Sequence, residues 1–261
     1  EPLTPSDYEH FLLVLLPHYR IKAIGIHGPE PLEPGEPWRT TRMIAELANQ
    51  YEIPWRLVTN GSYLEDRADE LTDLLVDHVS LSIHATDLDD EVVLATYEDV
   101  FEAGMRGTER FLTHRRNKQG RLSFTGVMQK GKHHYFDGIT ELAYEHGVGE
   151  VVLCPMLPFD GMHGLAEDAG VYLDTIAKHH ALGADRGVGV SLDNSLGLIP
   201  PSEATEGYFL DVLDMPVLRM TPNPHRWAMT KDQILCFEDR ITYDPMQPQA
   251  LIEQHFSEWA M

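Results

Sequence analysis

Short apolar runs alternate with amphipathic segments along most of the chain. Apolar runs rich in Val, Ile and Leu predict strands at residues 21–27, 55–59, 79–84, 122–128, 151–156 and 188–192. Between them, apolar residues at helical spacing predict helices over residues 40–51, 65–75, 90–116, 136–145 and 171–181. The long third helix is expected to be interrupted around Gly104 and Gly107. A further helix is predicted to begin near Thr4.

Strands that alternate with helices at this spacing are typical of βαβ crossovers and a parallel sheet. A single series of at least five strands favours an α/β partial TIM-like (β/α) barrel over a small doubly wound sheet. The alternation ends near Pro200. We therefore predict a barrel core at residues 1–199 and a small C-terminal α+β extension at residues 200–261.

The net charge limits the classes of partner that the protein could bind, and the cysteine content indicates its compartment. The formal net charge is −22, which argues against a nucleic-acid backbone or an anionic membrane as partner because both would be repelled. No apolar run reaches the roughly 18 residues that a membrane span needs, and the first residues do not resemble a signal peptide. The only cysteines are Cys154 and Cys236, which favours a reducing compartment and predicts a cytoplasmic protein.

The first predicted strand ends in an unusual turn, Gly28-Pro29-Glu30-Pro31. Two prolines flanking one glutamate prevent both helix formation and strand pairing at that point. The sequence therefore predicts a stiff turn that holds a carboxylate at the carboxyl end of a strand, where ligands bind in α/β folds.

Polar residues follow every predicted strand. In chain order they are His27 and Glu30, Thr59 and Asn60, Ser82 and His84, Thr125 and Gln129, Cys154 and Pro155, and Asp193 and Asn194. In a parallel barrel these strand ends share one rim, so the side chains are expected to surround one pocket. Each residue alone has an ordinary structural interpretation, and the set does not identify a reaction. The adjacent pairs His133-His134 and His179-His180 are predicted to be solvated.

The order of the motifs resembles the core of the radical S-adenosylmethionine (radical SAM) superfamily. A strand followed by "GPEP", a strand followed by "VTNG", and then "VSLSIHA" match the family's Gly-Gly-Glu-Pro turn, its Thr-Asn-Gly turn and the polar end of its next strand. The later "LSFTGVMQKG" and "VVLCPMLPFDG" are similar to the following two strands of the family. The resemblance covers roughly residues 4–161.

The resemblance implies a set of residues that bind S-adenosylmethionine. Gly28, Pro29 and Glu30 would face the methionine moiety, Ser82 and His84 would approach the ribose, and Val127 with Leu157 would border the adenine. Thr59 and Asn60 of the Thr-Asn-Gly turn complete the implied cofactor-binding set. No catalytic residue and no metal ligand is assigned.

Three departures from the family pattern stand out. Pro29 occupies the place of the second glycine, and His84 that of an aspartate. The Cys-x3-Cys-x2-Cys loop that holds the family's [4Fe–4S] cluster does not occur, and its expected position falls upstream of Glu1. The barrel is accordingly expected to lack its first strand in this chain.

The function implied by the resemblance is a radical SAM enzyme core. With an upstream [4Fe–4S] cluster and a reductant such as flavodoxin or ferredoxin, it would generate a 5′-deoxyadenosyl radical and abstract hydrogen from a small-molecule or peptide substrate. One alternative is a cluster-less barrel that serves as a binding or scaffold module. Another is a metal-dependent hydrolase or aldolase-like barrel that uses His27, His84 and Glu30.

Overall fold

The computed structural model describes residues 23–27, 30–86, 91–115, 120–155 and 169–193, together with Ser6, Glu9, Leu12 and Leu13. The chain divides into two compact units, one formed by Lys22–Val212 and the other by Glu1–Ile21 with Leu213–Met261. All the elements described below belong to the first unit. The predicted boundary at residues 199 and 200 stays a prediction, and the strands and helix expected in residues 200–261 lie outside the described residues.

Strands and helices alternate throughout the described part of the first unit. The strands are β1 (Ile24–Ile26), β2 (Trp55–Thr59), β3 (His78–Ser82), β4 (Arg121–Met128), β5 (Glu150–Pro155) and β6 (Gly189–Leu192). The helices are α1 (Glu36–Gln50), α2 (Leu64–Asp73), α3 (Glu91–His114), α4 (Ile139–Glu145) and α5 (Ala169–Arg186), with a 3-10 turn at His133–Phe136.

The six strands form one parallel sheet in the order β1-β2-β3-β4-β5-β6. This confirms the predicted fold class, a partial α/β barrel with parallel strands. Because right-handed crossovers between sequential parallel strands all turn the same way, the helices lie on one face of the sheet. Leu81 of β3 lies against Gly104 of α3, and Val190 of β6 lies against Gly183 of α5.

The two faces of the sheet differ in polarity. The face toward the helices is apolar and includes Trp55 and Phe124, both with no exposed surface. The opposite face of β3 and β4 carries small hydroxyl side chains, and Ser80 Oγ lies 2.6 Å from Thr125 Oγ1. Most barrels fill this interior with bulky branched residues. In the middle of these two strands, the interior face therefore carries unusually small and polar side chains.

Helix α1 begins at Glu36 rather than at the predicted Thr40. Pro37 lies in its first turn, where a missing N–H costs nothing, and the acidic Glu36 suits the positive end of the helix dipole. The predicted helix 136–145 is divided instead: a 3-10 turn ends at Phe136, and α4 follows Gly138.

The expected interruption of the third helix is wrong. Helix α3 runs without a break from Glu91 to His114, and its glycines serve close packing instead. A Cβ on Gly107 would lie 2.7 Å from the backbone nitrogen of Glu65 and 2.7 Å from Leu64 Cβ. Gly107 therefore lets α2 and α3 approach closely, while Gly104 lets α3 approach Leu81 and Gly61.

The prediction that both members of the His179-His180 pair are solvated is also wrong. His179 has no exposed surface, and its Nδ1 lies 2.9 Å from Thr140 Oγ1. Burial lowers the pKa of His179, so the buried ring is neutral. The α5 position of His179 faces α4, and this orientation follows from helix packing rather than from composition. None of the described helices has both the length and the hydropathy that crossing a membrane requires.

Candidate functional site

The predicted site residues converge on the carboxyl edge of the parallel sheet. Gly28, Pro29 and Leu157 lie outside the described residues. The remaining six are all described: Glu30, Thr59, Asn60, Ser82, His84 and Val127. Strand register pairs Thr59 with Leu81 and Ser82 with Thr125, so the ends of β2, β3 and β4 lie side by side.

Glu30 joins the turn after β1 to the end of β2. The residue is 7% exposed. Its Oε1 accepts a hydrogen bond from the Leu32 N–H at 3.0 Å, and its Oε2 accepts one from the Asn60 N–H at 2.9 Å. The Thr59 hydroxyl lies 2.8 Å from Oε1 and 3.0 Å from Oε2. The structure thus brings Glu30, Thr59 and Asn60 together.

These contacts change the role expected for the Glu30 carboxylate. A carboxylate has about four acceptor positions, and three protein donors already occupy most of them. Thr59 is buried, like the other helix-facing residues of β2. The cluster of Glu30, Thr59 and Asn60 therefore lies beneath the carboxyl edge of the sheet. Glu30 consequently shapes the turn, and acceptors for a ligand ammonium group must come largely from other atoms at this edge.

The Thr59-Asn60-Gly61 turn is held by its own side chains. Thr59 Oγ1 accepts from the Gly61 N–H at 3.0 Å, and Asn60 Oδ1 accepts from the Ser62 N–H at 2.8 Å. Gly61 has a φ of 91°, a conformation that favours glycine. Among the described residues, the Asn60 Nδ2 group has no partner and is available to donate to a ligand.

Ser82 and His84 are held by a residue that the sequence did not single out, Tyr97 of α3. The Tyr97 hydroxyl accepts from the His84 N–H at 3.0 Å and lies 3.4 Å from the Ser82 carbonyl oxygen, to which it donates. Partial burial of the ring lowers the pKa of His84, although the residue as a whole stays exposed. At neutral pH the site therefore presents a neutral imidazole.

The ends of β4, β5 and β6 complete the edge. Val127 is 42% exposed, a large fraction for a strand valine, and it pairs in register with Cys154. Cys154 Sγ lies 3.9 Å from Asp193 Oδ2 and donates to it. Burial, with Asp193 adding to the effect, raises the pKa of the Cys154 thiol to about 12. Cys154 is thus a protonated thiol rather than a thiolate.

A second polar cluster occupies the amino ends of β3 to β5, on the same face of the sheet. His78 Nε2 lies 2.9 Å from Ser123 Oγ and 3.7 Å from Glu150 Oε2. Burial is the main cause that lowers the pKa of His78 to about 4, and Arg121 and Arg56 add to it. The imidazole is neutral at pH 7, so its approach to Glu150 is not an ion pair there.

His78 should make the fold sensitive to acid. Its folded pKa of about 4 lies below the ordinary value near 6.5, so the unfolded chain binds more protons between these pH values. Stability should therefore fall as the pH drops from about 6.5 to about 4, and the part due to His78 should reach about 1–2 kcal/mol at pH 5.

Urea unfolding of the wild type and of His78→Gln at pH 7 and pH 5 measures this contribution. We expect the variant to lose less stability than the wild type between the two pH values. His179 contributes in the same direction in both proteins, so it cancels in the comparison. Equal losses would contradict the assignment.

The sequence predicted most of the polar residues at this edge. It did not indicate the role of Tyr97 or the pairing of Cys154 with Asp193. Tyr97 gave no signal, because a tyrosine four residues before Phe101 on a helix is typical of a core position. Cys154 and Asp193 were recognised as polar strand ends, but their pairing depends on the register of β5 with β6. Only the structure supplies that register.

The residues at this edge suit S-adenosylmethionine better than they suit an iron–sulfur cluster. Asn60, Ser82 and His84 present polar groups at this edge, and the exposed Val127 presents an apolar side chain, which together fit a ligand that is partly polar and partly apolar. A [4Fe–4S] cluster requires several thiolates. The described part of the chain has one cysteine, a protonated one, and no group of three metal-binding side chains.

Comparisons by sequence and by structure give different results. No family model matches the chain, and no curated protein matches it. Solved structures do match its fold. SuiB of Streptococcus suis bound to S-adenosylmethionine has a TM-score of 0.56 at 11% identity, over 73% of this chain and 44% of that one.

Two further matches are similar in extent. SuiB bound to its precursor peptide SuiA has a TM-score of 0.56 at 13% identity, over 79% of this chain and 48% of that one. The structure titled native anSMEcpe with bound AdoMet has a TM-score of 0.53 at 15% identity, over 73% and 56%. The chain thus spans about half the length of these structures. At such identities the comparison shows that the fold is shared.

Proposed function

We propose that this chain is the S-adenosylmethionine-binding core of a radical SAM-type enzyme. The observation that carries the proposal is the carboxyl edge of the parallel sheet, where Asn60, Ser82 and His84 follow neighbouring strands and Glu30 holds the turn beneath them, in the order of the superfamily's motifs. The fold is shared with the radical SAM enzymes SuiB and anSMEcpe, whose structures contain S-adenosylmethionine. This supports an enzyme of that general kind.

Residues at different strand ends would contact different parts of the cofactor. Backbone groups of the turn at Gly28 and Pro29, shaped by Glu30, would receive the methionine moiety. Ser82 and His84 would hydrogen-bond the ribose hydroxyls, and Val127 with Leu157 would border the adenine. Thr59 and Asn60 would secure the turn between these parts.

The cluster would have to come from outside the residues described here. When bound, a [4Fe–4S] cluster supplies the electron that cleaves S-adenosylmethionine. Neither Cys154 nor Cys236 provides the required set of thiolates. We therefore assign to this chain the binding and orientation of the cofactor, and we assign no step of the radical chemistry to its residues.

A substrate lying over the same rim would be a small molecule or a peptide. SuiB and anSMEcpe have been solved with bound peptides, SuiA in one case and Cp18Cys in another. A flavodoxin- or ferredoxin-type reductant would supply electrons, and the predicted cytoplasmic location would suit both. The net charge of −22 disfavours nucleic acid as a substrate.

Product analysis tests the proposal. If the coding sequence upstream of Glu1 encodes three closely spaced cysteines, the longer protein should be reconstituted with iron and sulfide without oxygen and reduced with dithionite. We expect 5′-deoxyadenosine to form from S-adenosylmethionine. A matched protein with those cysteines replaced by alanine should form none.

The two alternatives predict other results. A scaffold module would yield no 5′-deoxyadenosine even with a complete cluster. A metal-dependent hydrolase would be active without a reductant. It would need a divalent metal ion but neither iron nor sulfide. In the hydrolase interpretation Glu30 would have to bind metal, whereas its carboxylate is already bonded to Leu32, Thr59 and Asn60.

A further inference from the structure

The backbone that follows β3 is fixed from several directions. The Ile83 N–H donates to the Thr125 carbonyl oxygen at 2.8 Å. Thr86 donates to the Tyr135 carbonyl oxygen from its N–H at 2.6 Å and from its hydroxyl at 2.8 Å. The Gly138 N–H donates back to Thr86 Oγ1 at 3.2 Å. Both ends of the segment 83–86 are thereby attached to β4 and to the turns that follow it.

Tyr97 of α3 holds the middle of this segment. It is 7% exposed. Its hydroxyl accepts a hydrogen bond from the His84 N–H and donates one to the Ser82 carbonyl oxygen. Burial raises the pKa of Tyr97 to about 12, so the hydroxyl keeps its proton at physiological pH. It can then act as donor and acceptor at once.

The ring of Tyr97 also orients the imidazole of His84. The two rings meet edge to face, with centroids 5.1 Å apart and planes at 74°. The ring of Phe101 also contacts Tyr97, with centroids 5.8 Å apart. The neighbours of His84 on either side, Ile83 and Ala85, are 1% and 0% exposed. The segment therefore presents an exposed imidazole on a backbone that cannot easily move.

We propose that Tyr97 is a positioning residue that holds Ser82 and His84 where they contact the ribose of S-adenosylmethionine. This inference rests on the proposed function, because it assigns a role within the same site. Sites work best when the residues that touch a ligand are locked by others behind them. Tyr97 has this relation to His84, since it contacts both its backbone and its ring.

The variant Tyr97→Phe removes the hydroxyl and keeps the ring. Losing one ordinary hydrogen bond corresponds to roughly a fivefold change in an equilibrium constant, so we expect the Kd for S-adenosylmethionine, measured by calorimetry, to rise about 3- to 10-fold. The NMR resonances of the His84 amide and imidazole should shift in the ligand-free protein. Tyr144→Phe is the control, because it removes the hydroxyl of an exposed tyrosine on α4 that has no part in the proposed site. It should leave both readouts unchanged.

A mutant cycle separates positioning from a general loss of stability. If Tyr97 acts through Ser82 and His84, Tyr97→Phe should weaken binding little further in a background with both Ser82→Ala and His84→Ala. Additive losses would overturn the inference, and so would wild-type affinity in Tyr97→Phe. If the wild-type chain bound no S-adenosylmethionine, the proposed function would fail by itself. The His84 resonances would still decide the positioning role, because unshifted resonances in Tyr97→Phe would refute it.

Discussion

Replacing Glu30 with alanine is expected to destabilise the protein by about 3–5 kcal/mol. The change leaves the N–H groups of Leu32 and Asn60 and the hydroxyl of Thr59 without their common acceptor. A hydrogen bond to a charged group contributes about 1.5–3 kcal/mol, and a buried donor left unpaired is costly. Since whole domains are stable by only about 5–15 kcal/mol, urea unfolding at pH 7 should show the loss clearly.

Matched variants make this prediction specific. Glu33→Ala removes an exposed carboxylate from the same turn and should change stability by no more than about 0.5 kcal/mol. Glu30→Gln keeps the shape of the side chain but points an amide N–H₂ group at a backbone N–H. It should therefore cause a large part of the loss of stability expected for Glu30→Ala. If Glu30→Ala unfolded like the wild type and only ligand binding were lost, Glu30 would be a ligand acceptor rather than the centre of the turn.

Replacing Gly107 with alanine is expected to cost about 1–3 kcal/mol, although alanine is normally the better helix former. The new Cβ would lie 2.7 Å from both the Glu65 nitrogen and Leu64 Cβ, and backbone atoms cannot give way as a flexible side chain can. Helices α2 and α3 would have to separate. Urea or thermal unfolding measures the cost.

Gly170→Ala is the control for this prediction. Gly170 lies in α5, and no atom of the described residues lies within 4 Å of a Cβ placed there. We expect this change to be neutral or to stabilise the protein by up to about 1 kcal/mol. If Gly107→Ala were equally neutral, the close approach of α2 and α3 would not be a constraint on the fold.

The fold could be predicted from sequence because its signals are local. Apolar strands of five or six residues, such as Trp55–Thr59, end at polar turns, and the helices between them are amphipathic. What failed was the interpretation of glycine. Gly104 and Gly107 were expected to interrupt a helix, whereas their effect depends on the strand, turn and helix packed against α3, which no local pattern reveals.

The candidate site was predicted only in part for a similar reason. Position at the end of a strand correctly grouped Glu30 with Thr59 and Asn60. It could not show that the Glu30 carboxylate accepts hydrogen bonds from the protein itself, because these bonds depend on how the turn folds over β2. The contribution of Tyr97 depends on how α3 packs beneath the end of β3, and no pattern in a single sequence encodes this packing.

We propose that the carboxyl edge of β1 to β4 binds S-adenosylmethionine. The most direct test is a titration of this 261-residue chain with S-adenosylmethionine, followed by amide NMR. We predict weak, saturable binding, because this chain has only two cysteines and lacks the set of thiolates that would hold an iron–sulfur cluster beside the ligand. The amides of Asn60, Ser82 and His84 should shift, while that of His78 at the opposite edge should not. Absence of binding, or shifts at the amino edge of the sheet instead, would contradict the account.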